Sequence, residues 1–166
     1  MAQSGSLRSK ILLIIISFLG SGLISRKMPG TIGSLAATLL MFLLPKSSLV
    51  ALLCFLASFF LGWICCHCYI PKYETNRDPA YVVIDEACGI FLSCAIIYYC
   101  GYTTTFDILL SFALFRLFDI FKPYPIRNIE TCLKLRQNTA PLGIMLDDVL
   151  ASVFSAITQI VLKLYL

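Results

Sequence analysis

The chain has 166 residues, 59% of them hydrophobic and 13% charged, with a net charge of +4 and a mean hydropathy of +0.88. An ordinary soluble domain carries about 25% charged residues, so these values point to a single membrane-embedded domain over 1–166. The basic residues are dispersed and lack the stripe that nucleic-acid binding needs.

Helical periodicity runs throughout, and the predicted elements follow in order. Arg8 and Lys10 precede an apolar run, Ile11 to Ile24; with no convincing cleavage site, it reads as a retained membrane helix rather than a signal peptide. Gly30, Thr31, Gly33 and Ser34 make a flexible turn before a helix from Ser34 to Leu44, which is short for a bilayer that asks about 20 residues. Leu49 to Ile70 is long enough to cross. Asp78-Pro79 reads as the start of a helix over Ala80 to Tyr102. Helices over Phe106 to Phe121 and Ile144 to Leu166 complete an all-α bundle.

Eight cysteines lie mostly in apolar runs without a disulfide spacing and read as reduced core thiols. Cys65-Cys66-His67-Cys68 resembles a zinc cluster only on paper, because consecutive helical residues point in different directions and no second ligand pair follows.

Five of the nine acidic residues interrupt apolar stretches: Asp85, Glu86, Asp119, Asp147 and Asp148. Charge is costly there and usually functional. The turns Pro45-Lys-Ser-Ser48 and Gly101-Tyr-Thr-Thr-Thr105 close two hairpins, which bring the glycine turn and all five carboxylates to one membrane face. Two like charges 4 Å apart repel by about 4 kcal/mol at an effective dielectric near 20, so a converged set needs a cation. An all-oxygen donor set suits Mg²⁺ or Mn²⁺. Basic residues gather on the same side, Arg26, Lys27, Lys72, Arg77, Arg116, Lys122, Arg127, Lys134 and Arg136, and basic residues favour the cytoplasmic face of the inner membrane.

Gly30, Thr31 and Ser34 offer backbone amides and hydroxyls to an anion, while Arg116, Lys122 and Arg127 offer positive charge. Lys122-Pro-Tyr-Pro-Ile-Arg127 holds two cations on a proline-stiffened segment beside Asp119. Together these parts describe metal-assisted phosphoryl chemistry on a lipid, with the five acids as metal and catalytic groups.

Four ordered blocks carry a resemblance: Gly20-Ser-Gly-Leu23 leading to Pro29-Gly-Thr-Ile-Gly-Ser-Leu-Ala-Ala37; Val83-Ile-Asp-Glu-Ala-Cys-Gly89; Phe115-Arg-Leu-Phe-Asp-Ile-Phe-Lys-Pro-Tyr-Pro-Ile-Arg127; and Gly143-Ile-Met-Leu-Asp-Asp-Val-Leu-Ala151. The chain resembles the phosphatidylglycerophosphatase A family. The resemblance implies a helical fold around a central helix, and a Mg²⁺-dependent membrane phosphatase that converts phosphatidylglycerophosphate to phosphatidylglycerol and phosphate. Glu130 stands near a position where the family commonly has Asp, and Ser152 replaces a usual glycine. Two rivals predict other patterns. A CDP-alcohol-type lipid phosphotransferase carries Asp-x-x-Asp-Gly-x-x-Ala-Arg, which is missing here, and an ion channel or carrier would spread its ionisable groups through the bilayer depth.

Overall fold

A computed structural model describes residues 7–76, 79–124, 126, 128 and 140–165. Six α-helices are present among them: α1 Leu7–Ile16, α2 Pro29–Leu43, α3 Ser48–Tyr73, α4 Ile84–Tyr99, α5 Thr105–Phe121 and α6 Ala140–Tyr165. A 3₁₀ turn, Ser21–Leu23, sits between α1 and α2. No strand occurs among the described residues.

The bundle is organised around α4, which packs against α2, α3, α5 and α6. Twelve of its sixteen residues are buried, as expected of a helix that is apolar all round. Where α4 meets α5, Gly89 lies under the Phe115 ring, and a β-carbon there would collide with it. The apolar core on one flank includes Met41, Ile90, Ile97, Ile108 and Phe115. On the other flank, Ile16, Ile70, Ile84 and Met145 pack together with Cys65, Cys66 and Cys88.

Several predicted boundaries move. The first helix stops at Ile16 rather than Ile24 because Phe18, Leu19 and Gly20 all adopt left-handed backbone, with φ of 44°, 57° and 85°. At ten residues it is about 15 Å long, half of what a bilayer crossing requires. The second helix begins at Pro29, not Ser34, since proline is pre-shaped for a first helical position. Gly30 to Ser34 are therefore helical, not a flexible turn.

The central helix begins at Ile84 rather than near Pro79. Residues 79–83 form a turn in which the Val82 amide donates to Pro79 O and the Val83 amide donates to Ile16 O, both at 3.0 Å. Asp85 and Glu86 thus stand in the first turn of α4, not a turn or more inside it. The last helix starts one turn early, so Asp147 and Asp148 lie inside α6 instead of opening it. The predicted cap residue Asp78 lies outside the described residues.

A second polar centre ties the opposite end of the bundle. Thr104 and Asp107 form a reciprocal capping box at the start of α5. Lys163 of α6 reaches Asp107 at 2.7 Å, and Gln159 donates to Asp107 O at 2.9 Å. Two helices, 48–73 and 141–165, are long and apolar enough to cross a membrane.

Candidate active site

The starts of α2 and α4, the end of α5 and the first half of α6 meet around one cavity of about 460 Å³. Asp85, Glu86, Asp119, Asp147 and Asp148 all line it, together with Gly30, Thr31, Arg116 and Lys122. Residues from four separate helices therefore share one chamber.

The five acids fall into two groups. Asp85, Glu86 and Asp148 present one carboxylate oxygen each within 4.8 Å of one another. Asp85 and Asp148 are buried, and Glu86 Oε2 and Asp148 Oδ2 are buried without a hydrogen-bond donor. Unpaired carboxylate oxygens in such positions are strongly disfavoured unless something positive meets them. The positive ends of the α2 and α4 dipoles face the same space and offset part of this charge.

The other two acids hold cations. Arg116 Nη1 donates to Asp119 Oδ2 at 2.5 Å, one turn along α5. Lys122 Nζ donates to Asp147 Oδ2 at 2.7 Å, while Asp147 Oδ1 accepts the Asp148 amide at 3.1 Å. Lys122 can reach α6 because it ends α5 in a left-handed conformation, φ 41°, which turns the chain back over the cavity.

Arg116 also ties α5 to the start of α2. Its Nη2 donates to Thr31 Oγ1 and its Nη1 to Ser34 Oγ, each at 3.4 Å. Ser34 is fully buried and its hydroxyl donates back to Gly30 O at 2.8 Å, so it braces Arg116 and does not line the cavity. Gly30 has another role: a β-carbon at this position would overlap the Glu86 carboxylate. The missing side chain is what lets α2 approach the acidic cluster.

Of the predicted anion-binding residues, Gly30, Thr31, Arg116 and Lys122 are on the wall, whereas Arg127 lies outside the described residues. Lys27 joins them on the wall. Its signal in the sequence was its place two residues before the Pro29-Gly30 block, among the basic residues assigned to this side. Beside the chamber, burial and the Glu74 carboxylate, which accepts from its hydroxyl, push the Tyr81 phenol above its ordinary range.

Chemically, the chamber offers oxygen ligands for a hard cation, two fixed cationic side chains and helix-start amides for an anion. That combination fits a phosphate ester. The comparisons agree. The family model described as phosphatidylglycerophosphatase A matches residues 14–163. A phosphatidylglycerophosphatase A of Haemophilus influenzae is 38% identical, over 97% of this chain and 93% of its own. One of Escherichia coli with the same name is 35% identical, over 87% and 78% respectively. A Bacteroides thetaiotaomicron protein named "Putative phosphatidylinositol-3-phosphatase" is 34% identical, over 78% of this chain and 79% of its own. No solved structure matches. The chain is a phosphatase and belongs to the phosphatidylglycerophosphatase A family.

Proposed function

We propose that the chain removes the terminal phosphate of phosphatidylglycerophosphate, releasing phosphatidylglycerol and inorganic phosphate, in a Mg²⁺-dependent reaction at the cytoplasmic face of the membrane. The observation that carries this reading is the triad of Asp85, Glu86 and Asp148 carboxylates within 4.8 Å, with Arg116 and Lys122 on the same cavity wall.

Asp85, Glu86 and Asp148 would hold the cation, and the buried unpaired oxygens of Glu86 and Asp148 fit that use. Bound there, Mg²⁺ supplies charge neutralisation of the acids and polarisation of the phosphoryl group. Arg116 and Lys122, held by Asp119 and Asp147, face the phosphoryl oxygens and offset the charge that builds on them. Lys27 and the first amides of α2 bind the phosphate from the other side. Asp119 and Asp147 act mainly by fixing their cations, which places all five acids in the machinery with two different tasks. The net reaction breaks the phosphorus–oxygen bond to glycerol; water provides the oxygen gained by phosphate and the proton gained by the departing alcohol.

A lipid substrate also suits the exterior. Large apolar side chains such as Leu53, Phe60, Leu61 and Ile64 on α3, and Ile157, Val161 and Leu164 on α6, are exposed, and contiguous apolar surface of this kind marks membrane contact. We read α3 and α6 as crossing the bilayer, with the shorter helices packed beside them. Arg26, Lys27, Lys72, Arg116 and Lys122 gather towards the cavity end, which assigns that end to the cytoplasm.

The deciding measurement is phosphate release from a panel of lipid phosphomonoesters by the purified chain in detergent, with and without Mg²⁺. The panel contains phosphatidylglycerophosphate, phosphatidate and phosphatidylinositol 3-phosphate. Preferred, Mg²⁺-dependent turnover of the first is expected. Preference for the inositol lipid would move the headgroup assignment towards that named for the Bacteroides relative.

A further inference from the structure

A second hollow, of about 360 Å³, adjoins the active-site cavity. Pro29 and Ala80 stand on the walls of both, and Gly22, Ser25, Arg26 and Tyr81 line the hollow further. Two consecutive residues are thereby divided between the compartments: Lys27 lines the cavity and Arg26 lines the hollow. The turn that separates them is held by the Ser25 hydroxyl oxygen, which accepts the Lys27 amide at 3.2 Å. Their α-carbons are about 3.8 Å apart, so two cations start from neighbouring points and serve neighbouring spaces.

Packing fixes the walls of the hollow. Gly22 of the 3₁₀ turn lies against Tyr81 O and the Val83 side chain, and a β-carbon there would collide with both. The Tyr81 hydroxyl donates to the Glu74 carboxylate, which tethers this wall to the end of α3. The two compartments differ in charge. Five carboxylates line the cavity, whereas among the described residues that line the hollow Arg26 alone is charged. Arg116 and Lys122 are each held by an acid. Arg26 is exposed and has no carboxylate partner among the described residues. A guanidinium without an acid, beside a chamber suited to a phosphomonoester, is placed to meet a further anion.

Resting on the lipid-phosphatase reading above, we propose that Arg26 binds the phosphodiester of the lipid whose terminal phosphate enters the carboxylate cavity, and so selects headgroups that carry both groups. Phosphatidylglycerophosphate holds its phosphodiester three carbons from the phosphomonoester, whereas phosphatidate has no phosphodiester. With the terminal phosphate among the cations of the cavity, a second anion would be repelled by the clustered carboxylates on that side. The hollow beyond Pro29 and Ala80 offers it a cation, and no acid among its described lining. The planar guanidinium can donate two parallel N–H groups to the two non-bridging oxygens of the phosphodiester. Arg26 is thus a binding and specificity residue that touches no reacting atom.

The test uses the full chain in neutral detergent micelles with Mg²⁺ and reads inhibition of its lipid phosphatase activity by two soluble headgroups. Glycerophosphoglycerophosphate carries the phosphomonoester and the phosphodiester; glycerol 3-phosphate carries the phosphomonoester alone. The wild-type chain should bind the first about tenfold more tightly, the lower end for a charge-assisted contact because Arg26 is exposed. Arg26→Gln should abolish that advantage, raise KM for phosphatidylglycerophosphate by a similar factor, and leave inhibition by glycerol 3-phosphate as it was. Lys72→Gln, which removes another exposed charge from the last turn of α3, should change none of these values. Equal inhibition by the two headgroups in the wild type would overturn the site without reference to any variant. An advantage that survives Arg26→Gln would overturn it as well. So would an equal loss from Lys72→Gln, which would show only a general attraction between basic residues and anionic lipid. A wild-type chain that prefers phosphatidate, or releases phosphate from no lipid phosphomonoester, removes the underlying reading instead, a result distinct from loss of the headgroup advantage.

Discussion

Gly30 lies against the carboxylate of Glu86, so that a single added β-carbon on α2 would occupy the space of Oε1. This contact joins the start of one helix to the acidic start of another. It predicts that Gly30→Ala displaces Glu86, the flexible partner, while the bundle stays intact. Activity should fall at least about tenfold, on the scale felt when a reacting geometry shifts by an ångström, with an unfolding midpoint close to wild type. Wild-type kinetics for Gly30→Ala would show that Glu86 need not stand there.

Gly89→Ala makes the opposite prediction. Its added carbon meets the Phe115 ring in the middle of the bundle, where neither backbone nor ring has room to yield. A stability loss of about 1–3 kcal/mol is expected from such overpacking, read by denaturant titration in detergent, with residual activity proportional to folded protein.

The clustered acids should behave as a unit. Asp85→Asn, Asp119→Asn and Asp148→Asn are each expected to lower turnover at least about a hundredfold, the scale of losing one preorganised electrostatic group at a reacting centre. Circular dichroism should remain helical in all three. Unaltered turnover in any one removes that residue from the chemistry.

Metal dependence has two readouts. EDTA should abolish phosphate release and Mg²⁺ restore it. Mg²⁺ alone should raise the thermal midpoint of the wild-type chain, because a ligand that binds only the folded state stabilises it. That rise should be absent from Asp148→Asn, whose neutral side chain no longer completes the acidic triad. Activity that persists in chelator would defeat the proposed cation.

Lys122 and Asp147 invite a double-mutant cycle. Lys122→Ala removes a cation that lies 2.7 Å from Asp147, whose side chain is 4% exposed, and should destabilise the chain by on the order of 2 kcal/mol. That figure is below the range for fully buried pairs because Lys122 is 23% exposed. It should also raise KM more than it lowers kcat. Adding Asp147→Asn should recover stability but not activity, whereas recovery of both would make the pair purely structural.

The sequence by itself determined the helical class, the apolar exterior and the identity of the acids, because each rests on local chemistry. Periodicity and hydropathy define helices residue by residue, and charge in an apolar run is conspicuous without any neighbour. The two short turns also implied convergence: once Pro45 to Ser48 and Gly101 to Thr105 close hairpins, the acidic ends must meet on one side. Tertiary structure decided what separation along the chain conceals. The start of α4 moved to Ile84 because the Val83 amide bonds to Ile16 O, 67 residues away in sequence, and α1 ended at Ile16 because three left-handed residues follow it. The division of the five acids was equally hidden. Whether a carboxylate joins a cluster or holds a cation depends on which helix crosses beside it, and Arg116, Lys122, Gly30 and Glu86 find their partners only when four helices pack around one cavity.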